Sequence, residues 1–303
     1  MKSSNIGGQA VMEGVMMRNA DKYAVAVRKT DGEIVVKTEE YKGIVQNKKI
    51  RSLPIIRGVF SFIDSMVLGM STLTYSASFF MDEEEEEKDE KKESVMMGLT
   101  IACSVVMAVA IFMILPYFLS QLFRKFTDST TLITLLEGAV RLVIFFGYIL
   151  LISRMKDIQR VFMYHGAEHK CINCIEHGME LNVENVLKSS RLHKRCGTSF
   201  LFIVMIVSII FFLFIRIESP IWRGVFRLLL IPVIAGVSFE FIRLAGKSEN
   251  KLVILLSKPG MMLQKLTTRE PDASMAEVAI ASVEAVFDWR AYLKENFGWQ
   301  EKV

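Results

Sequence analysis

Two imidazoles four residues apart, with a carboxylate between them, stand in Tyr164-His165-Gly166-Ala167-Glu168-His169-Lys170. On a helix this spacing turns His165 and His169 to one side, where their ring nitrogens can share a zinc ion. Glu168, held beside the ion, can take a proton from water. At about 100° per residue His165, Glu168, His169 and Glu176 share one sector, and Cys171 and Cys174 fall opposite. A second group, His193-Lys194-Arg195-Cys196, adds an imidazole, a guanidinium and a thiol. This set suits metal-assisted hydrolysis of an amide, ester or phosphoester, with Glu168 as general base and His193 and Arg195 stabilising negative charge as it develops. One divalent ion, zinc by its preference for nitrogen and sulfur, needs a further protein ligand beside His165 and His169. Glu240, 71 residues after His169, is the expected third ligand, and Cys196 takes that place if the carboxylate is too distant.

The same stretch supports a competing metal reading. Cys171-x2-Cys174 is followed after eighteen residues by His193-x2-Cys196, which is close to the spacing of a zinc ribbon and would make a closed structural site. In a third reading no metal binds, and the histidines cap or hydrogen-bond elements at headgroup level. Four cysteines are too few for a disulfide scaffold, and three of them in one loop beside histidines fit a reducing compartment.

These groups must be positioned by a chain of 303 residues that is 51% hydrophobic and 23% charged, with mean hydropathy +0.34. The apolar residues are gathered into blocks, which excludes purely soluble, fibrous and disordered classes. Spans are expected at residues 97–119, 132–153, 200–217 and 221–244. The start of the chain shows no apolar stretch followed by a small-residue cleavage site, so no signal peptide is expected to be removed. Residues 1–96 hold fourteen Lys and Arg, 154–196 hold eight and 243–303 hold nine, against two in 122–130 and two in 216–223. The positive-inside rule then puts both termini and the middle loop in the cytoplasm.

The organisation expected is a small β-rich cytoplasmic domain (1–53), with a hairpin turning at Asp31-Gly32, then an amphipathic membrane-surface helix (54–81). Its apolar stripe is interrupted by Arg57 and Asp64, and a short span is the alternative. An acidic disordered linker follows (82–96), with nine acidic and three basic residues between positions 82 and 93. A first transmembrane hairpin (97–153), the cytoplasmic loop with the ligand motifs (154–199), a second hairpin (200–247) and a C-terminal cytoplasmic helical tail (248–303) complete it. After Pro259-Gly260 the tail is read as an amphipathic segment and then a helix from about Asp272, whose side chain can cap it, to Leu293. Glu137 and Arg141 share one face of the second span, either as a mutual ion pair or as part of an ion or substrate path. The fold class is thus an α-helical membrane protein with about four transmembrane helices, a small N-terminal β-hairpin-containing cytoplasmic domain and C-terminal cytoplasmic helices.

The segments GGQAVMEGVMMR (7–18), YHGAEHK (164–170), HKRCGTSF (193–200) and LTTREP (266–271) together resemble the DUF1385 family of bacterial membrane proteins, over the whole length. The resemblance implies a metal-dependent enzyme without naming a substrate. In the family pattern His165, Glu168, His169, His193 and Cys196 are held and the positions of Cys171 and Cys174 vary, which weighs against the ribbon. The leading expectation is an integral hydrolase of the inner (cytoplasmic) membrane, multi-pass, working at its cytoplasmic face on a lipid or membrane-protein substrate. A non-catalytic scaffold or regulator with a structural metal or ion pairs is the alternative, and a transporter comes third. The bilayer and a second copy of the chain are the expected partners. No nucleic-acid module or phosphate-binding glycine loop is present.

Overall fold

The computed structural model describes residues 2–80, 90–215, 217, 219–248 and 250–300. Four strands, β1 (Gly7–Val11), β2 (Gly14–Asn19), β3 (Lys22–Arg28) and β4 (Ile34–Glu40), form an antiparallel meander in chain order. The two-residue turns before β2 and β3 carry Glu13 and Ala20 at positive φ, and the β3–β4 loop turns at Gly32 with φ 89°, as the Asp31-Gly32 signal predicts. Successive strand residues serve opposite faces, as a two-residue period requires. Val15, Met17, Ala24 and Ala26 enter one apolar core and Met16, Tyr23, Val25 and Val27 the other.

The helices are α1 (Lys48–Ser52), α2 (Ile56–Ala77), α3 (Glu90–Val109), α4 (Leu115–Gln121), α5 (Thr130–Ile152), α6 (Lys156–Glu176), α7 (Val183–Lys188), α8 (Gly197–Phe214), α9 (Pro220–Lys247), α10 (Lys251–Thr267), α11 (Ala273–Val286) and α12 (Trp289–Phe297). Two compact units result. The first comprises residues 1–80, 153–204 and 232–303, the second 81–152 and 205–231.

In the first unit the sheet lies between helices. Its Val15/Met17 face meets α6 and α11, and its other face takes Leu68, Tyr75 and Phe79 from the α2 region. Asp64, which breaks the apolar stripe of α2, is buried because it accepts hydrogen bonds from the Ile44 amide at 2.8 Å and the Tyr41 hydroxyl at 3.1 Å. Ile56, Ile63, Met66, Val67, Met70 and Leu73 remain exposed along the opposite side of α2. Beyond α10 the C-terminal tail has two helices where one, from Asp272 to Leu293, is expected. Its two helices part at Phe287-Asp288, and each has its own aspartate cap, Asp272 on the Met275 amide and Asp288 on the Ala291 amide, both at 2.9 Å.

In the second unit a π-helical segment (Ala110–Ile114) joins α3 to α4. Pro116, which has no N–H to give the Phe112 carbonyl, explains the local widening. The released Phe112 carbonyl accepts from Arg141 Nε of α5 at 2.9 Å. Among the described residues five helical stretches, rather than the about four expected, are long and apolar enough to cross a membrane: Ile56–Phe80, Gly98–Lys125, Thr130–Ile152, Gly197–Phe214 and Trp222–Gly246. The additional one is α2 with its short extension. Of the acidic stretch expected as a disordered linker, residues 82–89 lie outside the described residues, and from Glu90 onward the chain is helical.

Candidate metal centre

Helix α6 presents His165 and His169 one turn apart with ring centroids 4.4 Å from each other. Its opposite side is apolar and packs into the core through Ala167, Cys171, Ile172, Cys174 and Ile175. Each imidazole is oriented by its Nδ1. That of His165 lies 2.9 Å from the Thr267 carbonyl and that of His169 lies 2.7 Å from the Arg191 carbonyl. A carbonyl can only accept, so both Nδ1 atoms carry the proton and both Nε2 lone pairs are left for a ligand.

Cys196, directly before α8, brings its Sγ to 3.3 Å from His165 Nε2. Donor atoms of His165, His169 and Cys196 all fall within 4.8 Å of one another. Tetrahedral zinc with bonds of ~2.0 to 2.3 Å separates its ligand atoms by about 3.5 Å, so two nitrogens and one sulfur at these distances fit the ion. Three protein ligands would leave a fourth position open. Glu168, buried, approaches His165 Nε2 to 3.9 Å. Burial alone would lower the pKa of His165, but the Cys196 sulfur beside it, helped by Glu168, raises it to about 9. For Cys196 burial acts upward and is outweighed by His165 and His169, which pull the thiol well below its ordinary value. The thiolate this favours at Cys196 is the form that ligates a soft metal, and His165 would join it by giving up its Nε2 proton.

The loop bearing Cys196 is clamped onto α6. Lys170 donates to the Leu187 and Ser189 carbonyls at 2.7 and 2.8 Å, and Asn173 to the Ser190 and Leu192 carbonyls at 2.6 and 3.0 Å. Gln264 of α10 accepts from the His193 amide at 2.9 Å and donates to its carbonyl at 2.7 Å. Gly166 leaves room for the Arg269 carbonyl, which would stand 2.0 Å from a Cβ there. That close approach seats the LTTREP segment and with it the Thr267 carbonyl.

Residues 53–289 match the family described as "Protein of unknown function (DUF1385)". The chain belongs to the DUF1385 family. It is also 36% identical over 301 residues to the "Uncharacterized protein YqhQ" of Bacillus subtilis (strain 168), covering 96% of this chain and 94% of that one. No solved structure matches it. The matched segment of this DUF1385 chain includes all three candidate ligands.

Not every residue singled out by the sequence comes to the centre. Glu240, the expected third ligand, is held instead by Arg57, whose Nε donates to it at 2.6 Å, and by the Ile55 amide at 3.4 Å. It ties α2 to α9 and stands apart from the cluster, so of the two alternatives the thiol is the one in place. His193 and Arg195 turn to Glu176, with His193 Nε2 at 3.4 Å and Arg195 Nη2 at 2.5 Å from its carboxylate. The Ser4 amide and hydroxyl complete this shell at 2.7 and 2.9 Å. Burial would raise the Glu176 pKa, yet His193, Arg195 and the Ser4 amide bring it to about 2. Cys171 and Cys174 lie in the apolar core, where burial pushes the Cys171 thiol well above its ordinary value and the Cys174 thiol up to about 12. A ribbon site needs both as thiolates beside Cys196, and here they stand on the other side of α6.

Sequence reasoning missed the Thr267 and Arg191 carbonyls, since a backbone acceptor has no residue type to notice, and it missed Gln264. The nearest available signal was LTTREP, an ungapped polar motif after an apolar helix.

Proposed function

We propose that this protein is an integral membrane metal-dependent hydrolase whose centre is His165, His169 and Cys196 with Glu168 as general base. The observation that carries the reading is the convergence of two imidazoles and a thiol within 4.8 Å, each imidazole fixed by a carbonyl through its other nitrogen. A zinc ion held there supplies Lewis acidity for activating water. Glu168 accepts the proton. Glu176, with His193 and Arg195, holds the loop that brings Cys196 to the cluster, so these two residues position the site and do not stabilise charge directly. The substrate class is a lipid or a membrane protein presented at the inner leaflet, a reading supported by five helices long and apolar enough to cross a bilayer and by Lys and Arg counts that favour a cytoplasmic middle loop and termini.

Helix α2 is read as lying along the membrane surface. Its C-terminal half packs on the sheet, where Lys37 Nζ sits 4.8 Å from the centre of the Tyr75 ring. A sheet with charged strand residues and an open edge has no place in hydrocarbon. The exposed apolar side of α2 then rests on the lipid.

The burial of His169, Cys196 and Glu168, all 5% exposed or less, favours a second reading, in which the ion is structural and the protein is a scaffold. Glu168→Gln separates the two. In the hydrolase reading it leaves the fold and the metal content intact and lowers turnover of an amide, ester or phosphoester panel by ~10²-fold or more. In the scaffold reading neither wild type nor variant turns over any of them, and function in cells survives the substitution.

A further inference from the structure

The second unit contains a group of buried charges that the metal chemistry does not use. Glu137 Oε1 accepts from Arg141 Nη2 at 2.8 Å and from Arg227 Nη1 at 2.6 Å. The three side chains are 3%, 7% and 7% exposed. Arg141 is fully engaged, since its Nε reaches the Phe112 carbonyl and its Nη1 reaches Ser208 at 3.1 Å. Arg227 is not, because its buried Nε has no hydrogen-bond partner among the described residues. One carboxylate shared by two guanidiniums leaves a net positive charge among apolar helices, which the Phe212 and Tyr117 rings, 4.6 and 5.8 Å from the Arg227 guanidinium, offset only in part and an anion would neutralise.

Arg227 forms part of the wall of a cavity of about 420 Å³ between the Val109–Phe118 stretch and the start of α9. Most of that wall is apolar, through Val109, Met113, Ile114, Phe118 and Leu228, and Arg223 adds a second guanidinium, whose Nε and Nη2 donate to the Ile217 carbonyl at 2.8 and 2.6 Å and leave Nη1 for a further acceptor. A soluble anion would match the charge and leave the apolar wall bare. We propose that this cavity binds an anionic amphiphile, whose phosphate or carboxylate head meets Arg227 and Arg223 and whose hydrocarbon chain lies along Met113, Ile114 and Phe118.

The test uses the full chain in nanodiscs of equal phosphatidylglycerol and phosphatidylcholine, released for native mass spectrometry. Wild type retains phosphatidylglycerol over phosphatidylcholine, and Arg227→Gln lowers that preference about tenfold. Met113→Trp, which fills the cavity and keeps every charge, lowers retention of both lipids and carries the test alone should Arg227→Gln fail to fold. Arg124→Gln, outside the cavity wall, leaves retention unchanged. Equal retention of the two lipids by wild type, or retention indifferent to both cavity variants, overturns the proposal. Displacement of the bound lipid by millimolar inorganic phosphate assigns the site to a soluble anion and overturns it as well.

Discussion

Glu176 shows how one side chain holds the approach to the centre. Its carboxylate has no exposure and is met by an imidazole, a guanidinium and the Ser4 amide and hydroxyl. A carboxyl whose pKa falls from the ordinary 4.5 to about 2 on folding contributes stability that is complete above pH ~4.5 and is lost as pH falls towards ~2. Glu176→Gln is therefore expected to cost about 3 kcal/mol at neutral pH. The gap from wild type, read by thermal denaturation of the detergent-solubilised chain, should shrink to about half or less by pH ~3 and close towards pH ~2, and a gap indifferent to pH would refute the assignment. At this scale the His-x2-Glu-His spacing was readable, because a helix fixes which residues share a face. The third ligand was less so. Glu240 and Cys196 are equally plausible donors by type, and only the fold sends one to Arg57 and the other to His165. Arg227 gave no local sign of joining Glu137 from 90 residues away.

Elements act on the centre through close contacts that a single methyl group would break. Gly166→Ala puts a Cβ 2.0 Å from the Arg269 carbonyl, and neither α6 nor the 267–271 segment can yield without moving the Thr267 carbonyl from His165. A loss of ~1 to 3 kcal/mol is expected from such overpacking, together with weaker metal retention. Normal melting temperature and normal metal content in that variant would show that the segment does not orient His165. The hairpin over β3 and β4 and the apolar helices follow from period and turn residues alone. The break between α11 and α12 does not, since Asp272 and Asp288 are both good caps and an aspartate inside an apolar stretch reads as a solvent-facing helix position until the chain is seen to turn. Helix α2 was ambiguous for a physical reason. Its polar positions are spent on the sheet and on Asp64's neighbours, so its outer side looks like that of a span.

The whole chain combines a unit that carries donor atoms with a unit of apolar helices. The proposed topology makes a cysteine at His177 unreactive towards a membrane-impermeant maleimide in intact cells, in a Cys103→Ser background, and a cysteine at Thr127 reactive. Labelling at His177 would overturn both the topology and the cytoplasmic site. The central claim is the ion itself, and the most direct measurement is the metal content of the purified full chain with zinc-edge X-ray absorption. About one zinc per chain is predicted, with two nitrogen neighbours and one sulfur at ~2.0 to 2.3 Å, lost in His165→Ala and Cys196→Ser and kept in Cys171→Ser. A folded wild-type chain without stoichiometric metal, or metal content indifferent to His165→Ala and Cys196→Ser, would contradict it.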